Sequence, residues 1–143
     1  MIQNKFKKCL EQKKIILFSR GPKLASKELK LSLEDLKAAR RAFKAGDHKW
    51  AIVQSYYSMF HSARALLYIK GYREKNHYCL IEAIRELYVN KRQLNFVLIE
   101  ALQKAKILRE DADYYGDHTK SGAKDLLKEA EEFLNEVKKI IEK

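Results

Sequence analysis

The 143 residues carry 30 Lys/Arg against 19 Asp/Glu, a formal net charge of +11, with one proline, five glycines and two cysteines. This length builds one domain that buries roughly two-thirds of its unfolded surface, a core that needs no staples. No apolar run approaches the about 18 residues of a membrane span, and Met1 to Leu10 lacks the apolar core and cleavage site of a signal peptide. Cys9 and Cys79 stand in no C-x-x-C or His-rich pattern, so they are expected to be reduced thiols of a cytoplasmic protein without metal or cofactor.

The charge is unevenly spread. Residues 1–30 hold nine Lys/Arg against two acids and residues 31–72 hold seven against three, whereas residues 73–122 hold nine against eight and residues 123–143 five against six. A basic first half suits contact with phosphates or an acidic partner, and equally suits ordinary solvated lysines.

From Ile2 to Lys14, the residues Ile2, Phe6, Cys9 and Leu10 recur at helical spacing. Ile15–Phe18 reads either as a helix end or as an extended strand, and Arg20-Gly21-Pro22 stops it. Residues 1–31 are thus expected to form an arm docked on a bundle of residues 32–143. Ser32, followed by Glu34 and Asp35, reads as the cap of the first bundle helix. Ala45-Gly46-Asp47 breaks the chain before a long helix from His48 to Lys70, apolar around most of its girth and therefore central. Gly71 ends it, and Tyr72 to Asn76 reads as a polar loop. Helices follow over about His77–Val89 and Gln93–Tyr115, and a last one after a loop containing Gly116 and Gly122. No β-alternating segment of useful length is present. The fold class is all-α: an up-and-down bundle of about five helices with a short N-terminal arm.

Phosphate loops, nucleophile elbows and zinc-helix motifs are missing. Three polar clusters remain. Arg109 lies on the apolar face of its helix with Asp113 at i,i+4 and Tyr114 beyond, either as a structural ion pair or as a forked phosphate receiver. The loop leading to His77 carries Lys75 and His77 at a helix start, either an anion site or an Asn76 cap with incidental charges. Tyr57, His61, Arg64 and Tyr68 form a stripe on the central helix at i, i+4, i+7 and i+11, suited to a cleft or a subunit contact.

These residues also carry a resemblance. The stretch from Trp50 to Leu67, followed by Gly71-Tyr72 and Lys75-Asn76-His77, resembles the centre of HEPN domains, in particular their small stand-alone prokaryotic branch. Leu108 to Tyr114 is similar to that branch's R-x-x-A-D-Y pattern. The resemblance spans about Ser32 to the C-terminus and implies a bundle of four or five helices that forms a homodimer with a cleft near the dimer interface. It also implies a minimal nucleotidyltransferase as partner in a toxin–antitoxin pair, and contact with a nucleotide or RNA.

Some members are metal-independent ribonucleases in which an Arg steadies the phosphate and a His, with four to six residues between them, does acid–base work. Here eight residues separate Arg109 from His118, and three separate Arg73 from His77. Three functions stay open: a binding module using Arg109, Asp113, Tyr114, Lys75 and His77; a ribonuclease toxin using Arg109 with His118 or His77; and a non-catalytic interaction scaffold.

Overall fold

Small residues decide how the first two long helices meet. The computed structural model describes residues 4–142, so the expectation for Ile2 lies outside the described residues. Its elements are α1 (Lys5–Glu11), β1 (Ile15–Leu17), α2 (Gly21–Lys44), α3 (His48–Ile69), β2 (Tyr72–Glu74), α4 (His77–Ile84), α5 (Phe96–Tyr115) and α6 (Lys120–Ile141). A π-helical turn, Arg85–Val89, continues α4. The all-α bundle expected from the sequence is present, five helices preceded by the helical arm.

Helix α2 starts eleven residues earlier than the Ser32 cap predicted. Pro22, with its preset φ, sits in its first turn, and Gly21 is buried. A Cβ on Gly21 would lie 2.5 Å from the Tyr68 carbonyl oxygen, so only glycine lets this end of α2 approach the end of α3. Ser32 is not a cap but a fully buried mid-helix residue. Its hydroxyl donates to the Ser58 carbonyl at 2.7 Å and shares a hydrogen bond with the Ser62 hydroxyl at 2.6 Å, while the Ser58 hydroxyl returns a bond to the Ser32 carbonyl at 2.9 Å. With Ala25, Ala39, Ala51 and Ala65 also buried, the two backbones pack closely.

Helix α3 is the axis of the bundle and packs against α2, α5 and α6. Asp47, Asn76, Asn95 and Thr119 cap α3, α4, α5 and α6 through their side chains. Gly122, expected in a loop, lies inside the first turn of α6. Tyr88 on the π-turn is buried and donates to the Leu66 carbonyl at 2.6 Å; burial pushes its hydroxyl pKa well up.

The arm is tied down twice. Ile15–Leu17 resolves to a strand, and the expected polar loop is its antiparallel partner, with Ile15 opposite Glu74 and Leu17 opposite Tyr72. The second tie corrects the reading of the cysteines. Cys9 on α1 and Cys79 on α4 form a disulfide, their Cα atoms 5.9 Å apart across 70 residues of sequence, and both are buried. Cys9 and Cys79 therefore do not speak for a reducing compartment. No helix among the described residues is long and apolar enough to cross a membrane.

A cross-link closing so long a loop restricts the unfolded chain strongly. Replacing both cysteines by serine should lower unfolding stability by about 2–4 kcal/mol in urea titrations. A double variant as stable as the parent protein, with reductant changing neither, would refute the bond's stabilising role.

Candidate phosphate-binding cleft

The stripe predicted on α3 divides between two neighbourhoods. Its N-terminal member, Tyr57, meets α5: Arg109 Nη2 donates to the Tyr57 hydroxyl at 3.0 Å. The guanidinium carbon lies 5.6 Å from the Tyr56 ring centroid and 5.4 Å from that of Tyr57, within cation–π range of both. Asp113 Oδ2 is 3.1 Å from Arg109 Nε, but Nε–H is not aimed at it and makes no directed hydrogen bond. Proximity to Asp113 and two aromatic faces thus hold the head group, while its Nη1 makes no hydrogen bond among the described residues. The side chain is about a quarter exposed, enough to receive an anion.

His77 reaches the same place from the first turn of α4. Its Nδ1 is 3.0 Å from the Tyr56 hydroxyl, and its ring stacks on Tyr56 and on Phe60 with centroids 5.7 and 6.2 Å away. Its Nε2 is buried without a partner. Burial, aided by Lys106 and Arg109 against the opposing pull of Glu110, lowers its pKa from 6.5 to about 4, so the ring is neutral at pH 7. Burial likewise pushes Tyr56 up to about 12. Beside His77, a cavity of about 360 Å³ opens between α4 and α5, lined by Tyr78, Ile81, Gln103, Lys106 and Ile107.

The other stripe residues serve a separate charged cluster. His61 Nδ1 hydrogen-bonds Glu28, and its Nε2 is 3.6 Å from Asp35, both on α2. Arg64 binds Glu74 of β2 through Nε at 3.1 Å and Nη2 at 2.7 Å, and lies 3.8 Å from Glu28. Glu28 and Glu74 are buried; burial also raises the Asp35 carboxyl above its ordinary range, against the pull of His61. Tyr68 is buried with its ring edge-on to Phe18. Phe60 stands between the two neighbourhoods, His77 stacked on it and Arg64 4.4 Å from its centroid.

The fold therefore gathers Arg109, Asp113, Tyr57 and His77, and adds Tyr56 and Phe60, which apolar periodicity alone assigns to the core. His118 and Tyr114 are exposed and make no hydrogen bond or ion pair with Arg109 among the described residues; Tyr114 is 71% exposed. Lys75 is exposed too, and its backbone N–H extends the β1–β2 pairing to the Lys14 carbonyl. No group of three or more His, Cys, Asp or Glu among the described residues is arranged to hold a metal ion.

Comparison with known proteins places this geometry in context. A family model described as HEPN domain matches residues 25–140. A Methanocaldococcus jannaschii protein named "Putative toxin MJ0605" is 32% identical over 114 residues, covering 79% of this chain and 85% of that protein. A second protein of that organism, named "Putative toxin MJ0142", is 28% identical over 76% of this chain and 75% of its own length. An Archaeoglobus fulgidus protein named as a UPF0332 protein is 32% identical over 73% of this chain and 85% of its own. With the model match covering α2 through α6, the chain belongs to the HEPN domain family.

Proposed function

We propose that this is a toxin-type HEPN protein whose Arg109 cleft receives a phosphate of a nucleotide or RNA. The carrying observation is the Arg109 guanidinium, held by Tyr56, Tyr57 and Asp113 yet about a quarter exposed, with Nη1 making no hydrogen bond among the described residues. An arginine kept only as a structural partner would turn its directed hydrogen bonds to the carboxylate; this one aims at a tyrosine hydroxyl. The names of the two Methanocaldococcus relatives support the toxin class. A minimal nucleotidyltransferase is the partner that the family resemblance favours.

The protein acts as a homodimer in this reading. His61, Arg64 and Tyr68 are committed inside the protomer, so the contact falls to Tyr57 and the exposed residues Tyr78 of α4 and Ile107, Tyr114 and Tyr115 of α5. A second reading is metal-independent RNA cleavage, for which the candidate acid–base group is His77, stacked on Tyr56 beside Arg109 with its Nε2 unpartnered.

Sedimentation at micromolar concentration should give a dimer, and a monomer would count against the contact.

Arg109→Ala should stay folded, within about 1 kcal/mol, because the pair with Asp113 is partly solvated. Binding of a 5′-phosphorylated dinucleotide should fall at least about tenfold, and Arg109→Lys should recover only part, since it keeps the charge and loses the fork. A folded Arg109→Ala protein with full dinucleotide binding would leave Arg109 as a structural residue of an interaction scaffold.

His77 also imposes a pH dependence. The unfolded chain protonates this residue near 6.5, the folded one only near 4, so between these values the unfolded state binds more protons. The stabilisation is complete above pH 6.5 and is lost as the pH falls toward 4. Urea midpoints measured at about pH 7 and about pH 5 should therefore differ less in His77→Phe than in the parent protein; equal differences would contradict the burial of an uncharged ring.

A further inference from the structure

Helix α2 carries a second charged feature, on the side turned away from the bundle. Lys23, Lys27, Lys30, Lys37, Arg41 and Lys44 are all exposed. Their spacing, with Glu34 filling the one gap, alternates four and three residues, so they share one face of the helix. At 1.5 Å per residue the row is about 31 Å long. Its period of 3.5 makes it drift about 20° per heptad, so it winds gently instead of breaking. None of the six cations forms an ion pair among the described residues, whereas Arg40, one position off the row, pairs with Glu131 of α6 at 3.2 Å.

The acids of α2 behave in the opposite way. Glu28 is buried against His61 and Arg64, and Asp35 is half-buried 3.6 Å from His61, so two of the helix's three acids are turned inward and consumed. A face kept only for solubility mixes both signs evenly; this one holds six cations and the single acid Glu34. Immediately past the turn that ends α2 stands Trp50, 48% exposed, with Lys49 Nζ 5.6 Å from its ring centroid. An exposed indole in the first turn of α3, six residues beyond Lys44 in the chain, is a platform on which an unpaired base can stack.

We propose that this face of α2 is a track for the phosphate backbone of single-stranded RNA, with Trp50 stacking a base. For the identity of the ligand it rests on the nucleic-acid reading of the Arg109 cleft, but it is a separate surface. A membrane does not fit: a helix lying on lipid inserts an apolar face, and the apolar face of α2 is spent on α3. Lysine, five of the six cations, is a point charge without a fork, so the track reads charge spacing and not base sequence.

The test is fluorescence anisotropy with a uridine 20-mer between about 50 and 200 mM salt. Each contacted phosphate contributes about −0.7 to the slope of log affinity against log salt, so six give about −4. The variant Lys27→Gln, Lys30→Gln, Lys37→Gln, Arg41→Gln should lose about 3 from that slope and at least about tenfold in affinity at low salt. A control with the same change in net charge, Lys120→Gln, Lys124→Gln, Lys128→Gln, Lys138→Gln on α6, should keep the slope. Trp50→Ala should weaken binding several-fold with the slope unchanged.

Equal losses in the stripe variant and the control overturn the proposal, as does a parent protein that binds polyglutamate but not the 20-mer. The two surfaces fail separately: the stripe variant should lose the 20-mer slope while keeping full dinucleotide binding. A parent protein that ignores the 20-mer yet binds the dinucleotide sinks the track and spares the cleft.

Discussion

The close seam between α2 and α3 is the constraint from which the rest of the structure follows. Ser32 can reach Ser58 and Ser62 only if the two backbones approach as near as small residues allow, and Gly21 against Tyr68 enforces the same approach at the far end. Three hydroxyls satisfying one another and two carbonyls fix the rotation and register of α2 more narrowly than apolar packing would, because a slipped register would bury them unpaired. That rotation points Glu28 and Asp35 toward α3 and, by the geometry of a helix, sends the lysine row to the opposite side.

With register set, α3 can present two kinds of chemistry along one strip. Arg64 lies against both buried carboxylates, Glu28 and Glu74, and His61 hydrogen-bonds Glu28; removing Arg64 would leave charge stranded at low dielectric. One turn earlier, Tyr56 and Tyr57 meet Arg109 and His77, where the cation is only partly neutralised and one imidazole nitrogen has no partner. The first cluster is closed upon itself, and the second is incomplete. Phe60, touched by Arg64 and by His77, joins them mechanically, so the closed cluster acts as a rigid wall for the open one.

The helices, the central place of α3 and the Arg109–Asp113 pairing could be read from spacing, because periodicity reports directly which face is buried. What could not be read were contacts whose partners lie far apart in the chain. Ser32 before Glu34 and Asp35 has the composition of a helix cap, and only the partners on α3 reveal it as a buried polar bond. Cys9 and Cys79 gave no local pattern because their 70-residue separation closes only when α1 docks. Ile15–Leu17 and Tyr72–Glu74 are three-residue strands, too short to show alternation, and each is a strand only by virtue of the other. Chain order sets His118 nearer to Arg109 than His77, yet proximity in a bundle is decided by which helix starts opposite which.

The position of His77 is itself a consequence of the arm. It opens α4, whose start is capped by Asn76 and whose third residue is the disulfide-bonded Cys79. The two residues before Asn76 are Glu74, paired in the sheet and bound to Arg64, and Lys75, whose N–H bonds the Lys14 carbonyl. Within six residues the chain is thus held by a strand pair, a buried ion pair, a helix cap and a covalent bond. Such density of restraint on a short turn would be superfluous for a loop that merely connects two helices. It is what a ring needs if it is to stay stacked on Tyr56 and Phe60 beside Arg109.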